Sequence, residues 1–124
     1  MTMNVEELYM ILGADYNEVL SRLMSAQRVA KYLQKFSGTS DFSDLENAIK
    51  DGDWEKAFLS VHTLKGMALN LALTNIAQPA SNLTEELRGG LKSESSALNY
   101  FSMLSEEYHK PIEAINSLDE SVFE

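Results

Sequence analysis

Trp54-Glu55-Lys56-Ala57-Phe58-Leu59-Ser60-Val61-His62-Thr63-Leu64-Lys65-Gly66-Met67-Ala68-Leu69-Asn70-Leu71 is the stretch on which the fold turns, because its apolar residues recur with a helical and not a strand period. At about 100° per residue, Trp54, Ala57, Val61, Leu64, Ala68 and Leu71 share one side, which is the face of a helix that fills a core. Asp53 stands just before it as an N-cap. His62 falls roughly opposite the centre of that apolar side and is expected to point at solvent. Around it fall Glu55, Phe58, Leu59, Gly66 and Leu69, while Lys65 leans toward the same side.

Outward from this helix the same period continues. Toward the N-terminus, Val5, Leu8, Tyr9 and Leu12 predict a short helix ended by Gly13. Asp15 and Glu18 form a capping box, and Val19, Leu20, Leu23, Met24, Ala30, Leu33 and Phe36 predict one long helix that ends before Gly38. After a hydroxyl-rich joint at residues 39–43, Phe42, Leu45, Ala48 and Ile49 predict a brief helix running to Gly52. Downstream, a helix should run to Arg88 and end at Gly89-Gly90. The last should hold Ala97, Phe101, Leu104, Tyr108, Ile112 and Ile115 on one side. Pro79 and Pro111 each mark either a first turn or a kink. Strand alternation and internal repeats are hard to find. The expected fold is therefore all-α: a monomeric antiparallel four-helix bundle with one or two additional short helices, built from a single domain over residues 1–124.

The 124 residues are 44% hydrophobic, enough for a proper core, and contain no cysteine, which excludes disulfides, thiolate metal sites and thiol nucleophiles. A formal charge of −9 would repel a phosphate backbone, so nucleic acid and anionic membranes are poor partners. No apolar run approaches the roughly 20 residues of a membrane span. The first twenty residues, Met1 to Leu20, carry Glu6, Glu7, Asp15 and Glu18 without a basic side chain, unlike a leader, so the expected address is cytoplasmic; Met1 favours a freestanding protein.

An exposed neutral imidazole is a good nucleophile near pH 7, and its phosphorylated form is a high-energy intermediate. Lys65 would steady the added charge, and Gly66 would leave room for a partner's active site to close over the ring. Glu106 and His109 have the Glu-x-x-His spacing of di-iron bundles, but such a site needs two copies and His62 has Leu59 at the corresponding place, so no metal is expected. His109 reads as a surface residue, and Met1, Met3, Met10, Met24, Met67 and Met103 as core filler and termini. The chain lacks a glycine-rich phosphate loop and a Ser/His/Asp set, so it is not expected to be an enzyme by itself.

His62-Thr63-Leu64-Lys65-Gly66 resembles the signature of histidine-containing phosphotransfer (HPt) domains, and Val61, Asn70-Leu71 and the stretch from Leu83 to Leu87 match the family's pattern in order. The resemblance implies a small helical bundle in which His62 exchanges a phosphoryl group with an aspartate of a response-regulator receiver domain, with Lys65 and Gly66 beside it. By ungapped counting it also implies that Thr84 and Arg88, on the following helix, lie near the histidine, and the face on which a receiver docks is expected to include them together with Glu55, Phe58, Leu59 and Leu69. Partners would be receiver domains or a hybrid histidine kinase. The chain itself would carry no cofactor, the Mg²⁺ belonging to the receiver. Ala72 and Leu73 depart from the family's usual glycine in the turn, and Pro79 from its usually regular helix. The alternative is a helical adaptor that binds a partner through the same apolar patch without being phosphorylated.

Overall fold

The structure, a computed structural model, describes residues 3–123; Met1, one of the methionines discussed above, lies outside them. Among the described residues there are seven α-helices: α1 Val5–Leu12, α2 Tyr16–Leu23, α3 Ala26–Gly38, α4 Asp41–Lys50, α5 Trp54–Asn70, α6 Thr74–Leu87 and α7 Glu94–Ile115. A 3-10 turn follows at Glu120–Phe123. Among the described residues the β-type pairing is confined to one isolated bridge between Met3 and Leu118. The chain is an all-α bundle, as its period predicts. Helices α4 to α7 pack each against the next. The links 51–53 and 71–73 are too short for anything but a reversal, so α4, α5 and α6 run antiparallel.

Five of the helices start where a side chain takes over a free amide of the first turn, whereas α4, after Ser40, and α6, after Leu73, have no such side-chain cap. Asn4, Asp15, Ser25, Asp53 and Ser93 accept from the backbone N–H three residues on, in α1, α2, α3, α5 and α7 respectively. Gly13 ends α1 at φ 65°. The long helix expected from Asp15 to Phe36 is two helices. Met24 turns left-handed at φ 79°, its N–H closing on the Leu20 carbonyl, and Ser25 restarts the chain by capping Arg28 N–H. The second piece includes Gly38 instead of stopping before it.

The core holds Leu8, Tyr9, Val19, Val29, Leu33 and Phe36 from the first three helices with Leu45, Val61, Leu64, Ile76, Leu83 and Leu104 from the bundle. At one end Phe42 stacks on Tyr108 with ring centroids 4.2 Å apart. The methionines do not fill this core as expected. Met3 and Met67 are half-buried against it, whereas Met10, Met24 and Met103 are exposed. Pro79 sits neither in the first turn nor at an end, but inside α6 and buried; Pro111 is buried near the end of α7.

The C-terminus of α5 is closed from elsewhere in the chain. Tyr9 donates its buried hydroxyl to the Leu71 carbonyl at 2.7 Å, and Arg22 donates to the carbonyls of Leu69 and Asn70 at 2.6 and 3.0 Å. A cationic donor is well placed at the negative end of a helix dipole. Lys92 does the same for α6, donating to the carbonyls of Glu85, Glu86 and Arg88. In the turn between α5 and α6, Ala72 is left-handed at φ 56°, a conformation that costs a residue with a Cβ about 1 kcal/mol. Among the described residues no helix is long and apolar enough to cross a membrane.

Candidate functional site

Helix α5 places Ala57, Val61, Leu64 and Ala68 in the core and His62 on the opposite, exposed side, as its period requires. In a helix the Cα–Cβ bond tilts toward the N-terminus, so the His62 side chain leans back over the turn that contains Phe58. The two rings stack, with centroids 5.7 Å apart and planes 7° from parallel. Among the described residues no group hydrogen-bonds to either imidazole nitrogen.

Arg88, at the end of α6, brings its guanidinium to 5.5 Å from the centre of the Phe58 ring. Its other contact is Glu85, one turn earlier, to which it donates from Nε and from an Nη at 3.1–3.3 Å. That donation holds the Glu85 carboxyl below its ordinary pKa, outweighing an opposite effect of burial, and the charges of Lys65 and Lys92 add to it. Lys65 therefore lies within electrostatic reach of the α6 pair.

Gly66 is exposed one turn beyond His62, and a Cβ built on it would meet nothing within 4 Å. Leu59 (62% exposed) and Leu69 (49%) are exposed on the same helix. Glu55 is exposed in the first turn of α5, two turns before the histidine.

One expectation fails plainly. Thr84 is fully buried and gives its hydroxyl to the Ala80 carbonyl at 2.7 Å, so it is unavailable to a partner. The hydroxyl can close on the carbonyl four residues back, which lets a polar side chain enter the core.

Two residues on α3 were not anticipated. Tyr32 and Lys35 line an open groove of about 650 Å³ together with His62, Gly66 and Met67. Their spacing of three puts them on one helix face, but nothing local in α3 says which helix that face adjoins. Lys35 on the groove wall, Lys65 three residues on from His62 and Arg88 over Phe58 thus put three cations on the face that carries the imidazole, in a chain of net charge −9. His109 lies apart, exposed, its ring edge-on to Phe42 at 5.5 Å. No group of three or more His, Cys, Asp or Glu among the described residues is arranged to hold a metal.

A family model described as the Hpt domain matches residues 31–118, from early α3 past the end of α7. The chain belongs to the Hpt domain family. Comparison with curated proteins and with solved structures gives no significant match. Hpt domains are phosphocarrier modules of two-component phosphorelays, working with receiver domains and histidine kinases. The matched segment of this Hpt domain contains α5, α6 and the whole surface around His62, and leaves α1 and α2 outside it.

Proposed function

We propose that His62 is the phosphoryl-carrying residue of a phosphorelay intermediate that receives the group from a receiver-domain aspartate and passes it to another receiver. The observation that carries this reading is an exposed imidazole, with neither nitrogen hydrogen-bonded by the chain's described residues, set among Lys65, Arg88 and the open backbone at Gly66. The chemistry is a displacement at phosphorus. A nitrogen lone pair of His62 forms the N–P bond while the acyl P–O bond of the aspartyl phosphate breaks, and the electron pair leaves with the aspartate carboxylate. The ring proton on the other nitrogen stays or passes to water.

The Hpt domain supplies the nucleophile and cations that steady the charge in transit; the receiver supplies the acidic pocket and its Mg²⁺. Lys65 is the cation nearest the reacting ring in sequence, and Gly66 is the clearance through which the receiver approaches. Leu59 and Leu69 with Glu55 rim the docking surface. A monomer suffices for this function, because the reacting side chain and its cations all belong to one chain.

Incubation with a phosphorylated receiver tests the proposal. Wild-type protein should acquire an acid-labile, alkali-stable phosphoryl group, and His62→Gln should abolish it while circular dichroism remains unchanged. Full labelling of His62→Gln would move the site to His109 or to a hydroxyl. Receiver binding without any labelling of the wild type would leave the adaptor function instead.

A further inference from the structure

The imidazole of His62 is exposed and tied by no hydrogen bond from the described residues, yet in-line transfer needs its nitrogen lone pair aimed at phosphorus. An untethered side chain on a helix surface samples several rotamers. Among the described residues, the aromatic ring that stacks on the imidazole is that of Phe58. Phe58 is itself half-buried and covered by the Arg88 guanidinium, which Glu85 holds through a forked pair of charge-assisted bonds. Four side chains from two helices thus form one series, Glu85 to Arg88 to Phe58 to His62. On α6 the hydroxyl of Thr84 is buried and committed to the Ala80 carbonyl.

From this geometry we infer that Phe58 is a positioning residue for phosphotransfer, fixing the plane of the His62 ring with its nitrogens outward, and that Arg88 anchors Phe58 against α6. The inference rests on His62 being the phosphoryl carrier. It differs from a docking role for Phe58, because a ring that sets the aim of another matters only after the partner is bound.

Three measurements on the full chain separate these roles. In Phe58→Leu, which keeps an apolar side chain but removes the π face, the His62 ring protons should lose their ring-current displacement in proton–carbon NMR spectra. Transfer from a phosphorylated receiver should slow about tenfold in kcat, with KM changed by less than about twofold. Labelling by phosphoramidate, a small donor that brings no fixed geometry, should be unchanged. Phe58→Tyr, which restores a stacking face, should recover both the NMR displacement and the rate. Arg88→Gln should show a smaller loss of the same kind.

Unchanged His62 ring shifts in Phe58→Leu would overturn the inference, as would a raised KM at native kcat, which would make Phe58 a docking residue. Absence of His62 labelling in the wild type with both donors would instead defeat the phosphocarrier function. The NMR comparison would still report whether the stack holds the ring.

Discussion

Glycine at position 66 costs the α5 helix about 1 kcal/mol relative to alanine, and within the folded chain there is nothing within 4 Å that a Cβ would touch. Its backbone is helical, so no left-handed conformation calls for it either. A residue that the fold does not need, one turn from an exposed imidazole, points to something outside the fold. Gly66→Gln should therefore raise stability by up to about 1 kcal/mol in urea denaturation and at the same time slow transfer from a receiver. Native-rate transfer in that variant would show that the partner does not enter this space. Lys65→Ala should slow transfer by less than about fivefold in a stopped-flow or quench assay, because one partly exposed cation contributes a modest electrostatic effect. At this scale the sequence was most informative where chemistry depends on one helix: His62, Lys65, Gly66, Leu59 and Leu69 all stand where a period of 3.6 residues puts them. It failed where the answer lay across helices. Nothing in α3 announces that Tyr32 and Lys35 line a groove with the histidine, whereas the burial of Thr84 was legible within α6, where Ile76, Ala80, Leu83 and Leu87 recur around it at helical spacing.

Helix α5 was legible from end to end because its cap, its apolar side and its exposed side agree with one another. The region from Asp15 to Phe36 was not, since apolar spacing alone carries smoothly over the break at Met24. The sign that was present is Ser25, a good N-cap preceded by a residue able to take the left-handed turn at a cost. That cost is open to measurement. Met24 sits at φ 79° with its side chain 76% exposed, so it gives little packing in return. Met24→Gly should stabilise the protein by about 0.5–1 kcal/mol, the relief of the left-handed backbone less the added freedom of the unfolded chain. Destabilisation in thermal melts would show that the methionine packs better than its exposure implies. Pro79 is the opposite case, a residue that local rules place at a first turn or a kink and that lies within α6 with its ring buried.

For the whole molecule, fold class followed from the absence of strand alternation and the unbroken helical period. Which surfaces meet did not, because pairing of helices is decided by the shapes of several side chains at once. The hydroxyl of Tyr9 shows how far such pairings reach, crossing from α1 to the Leu71 carbonyl at the end of α5. Tyr9→Phe leaves that buried carbonyl without its donor and should cost about 1–3 kcal/mol. Burial, followed by the nearby Tyr16, raises the Tyr9 phenol well above its ordinary value. A raised acid contributes stability that is present below the unfolded pKa of about 10 and is lost as pH climbs above it. The alkaline fall in stability should accordingly be shallower in Tyr9→Phe than in the wild type, though not absent, since burial also raises Tyr16 and Tyr108. Equal slopes in denaturation from pH 9 upward would show that Tyr9 ionises freely.

Arg22 and Tyr9, which close the carbonyl end of the histidine helix, both precede the segment that the family model matches. Met3 also pairs with the chain beyond α7, its carbonyl accepting from Asp119 N–H, and Gln27 donates to the Phe123 carbonyl. Family resemblance and cooperative unit therefore have different borders here. A fragment cut at the edges of the match would retain the surface around His62 yet expose the last turn of α5 to fraying, so deletion boundaries in this protein are better drawn from its capping bonds than from the limits of the family match.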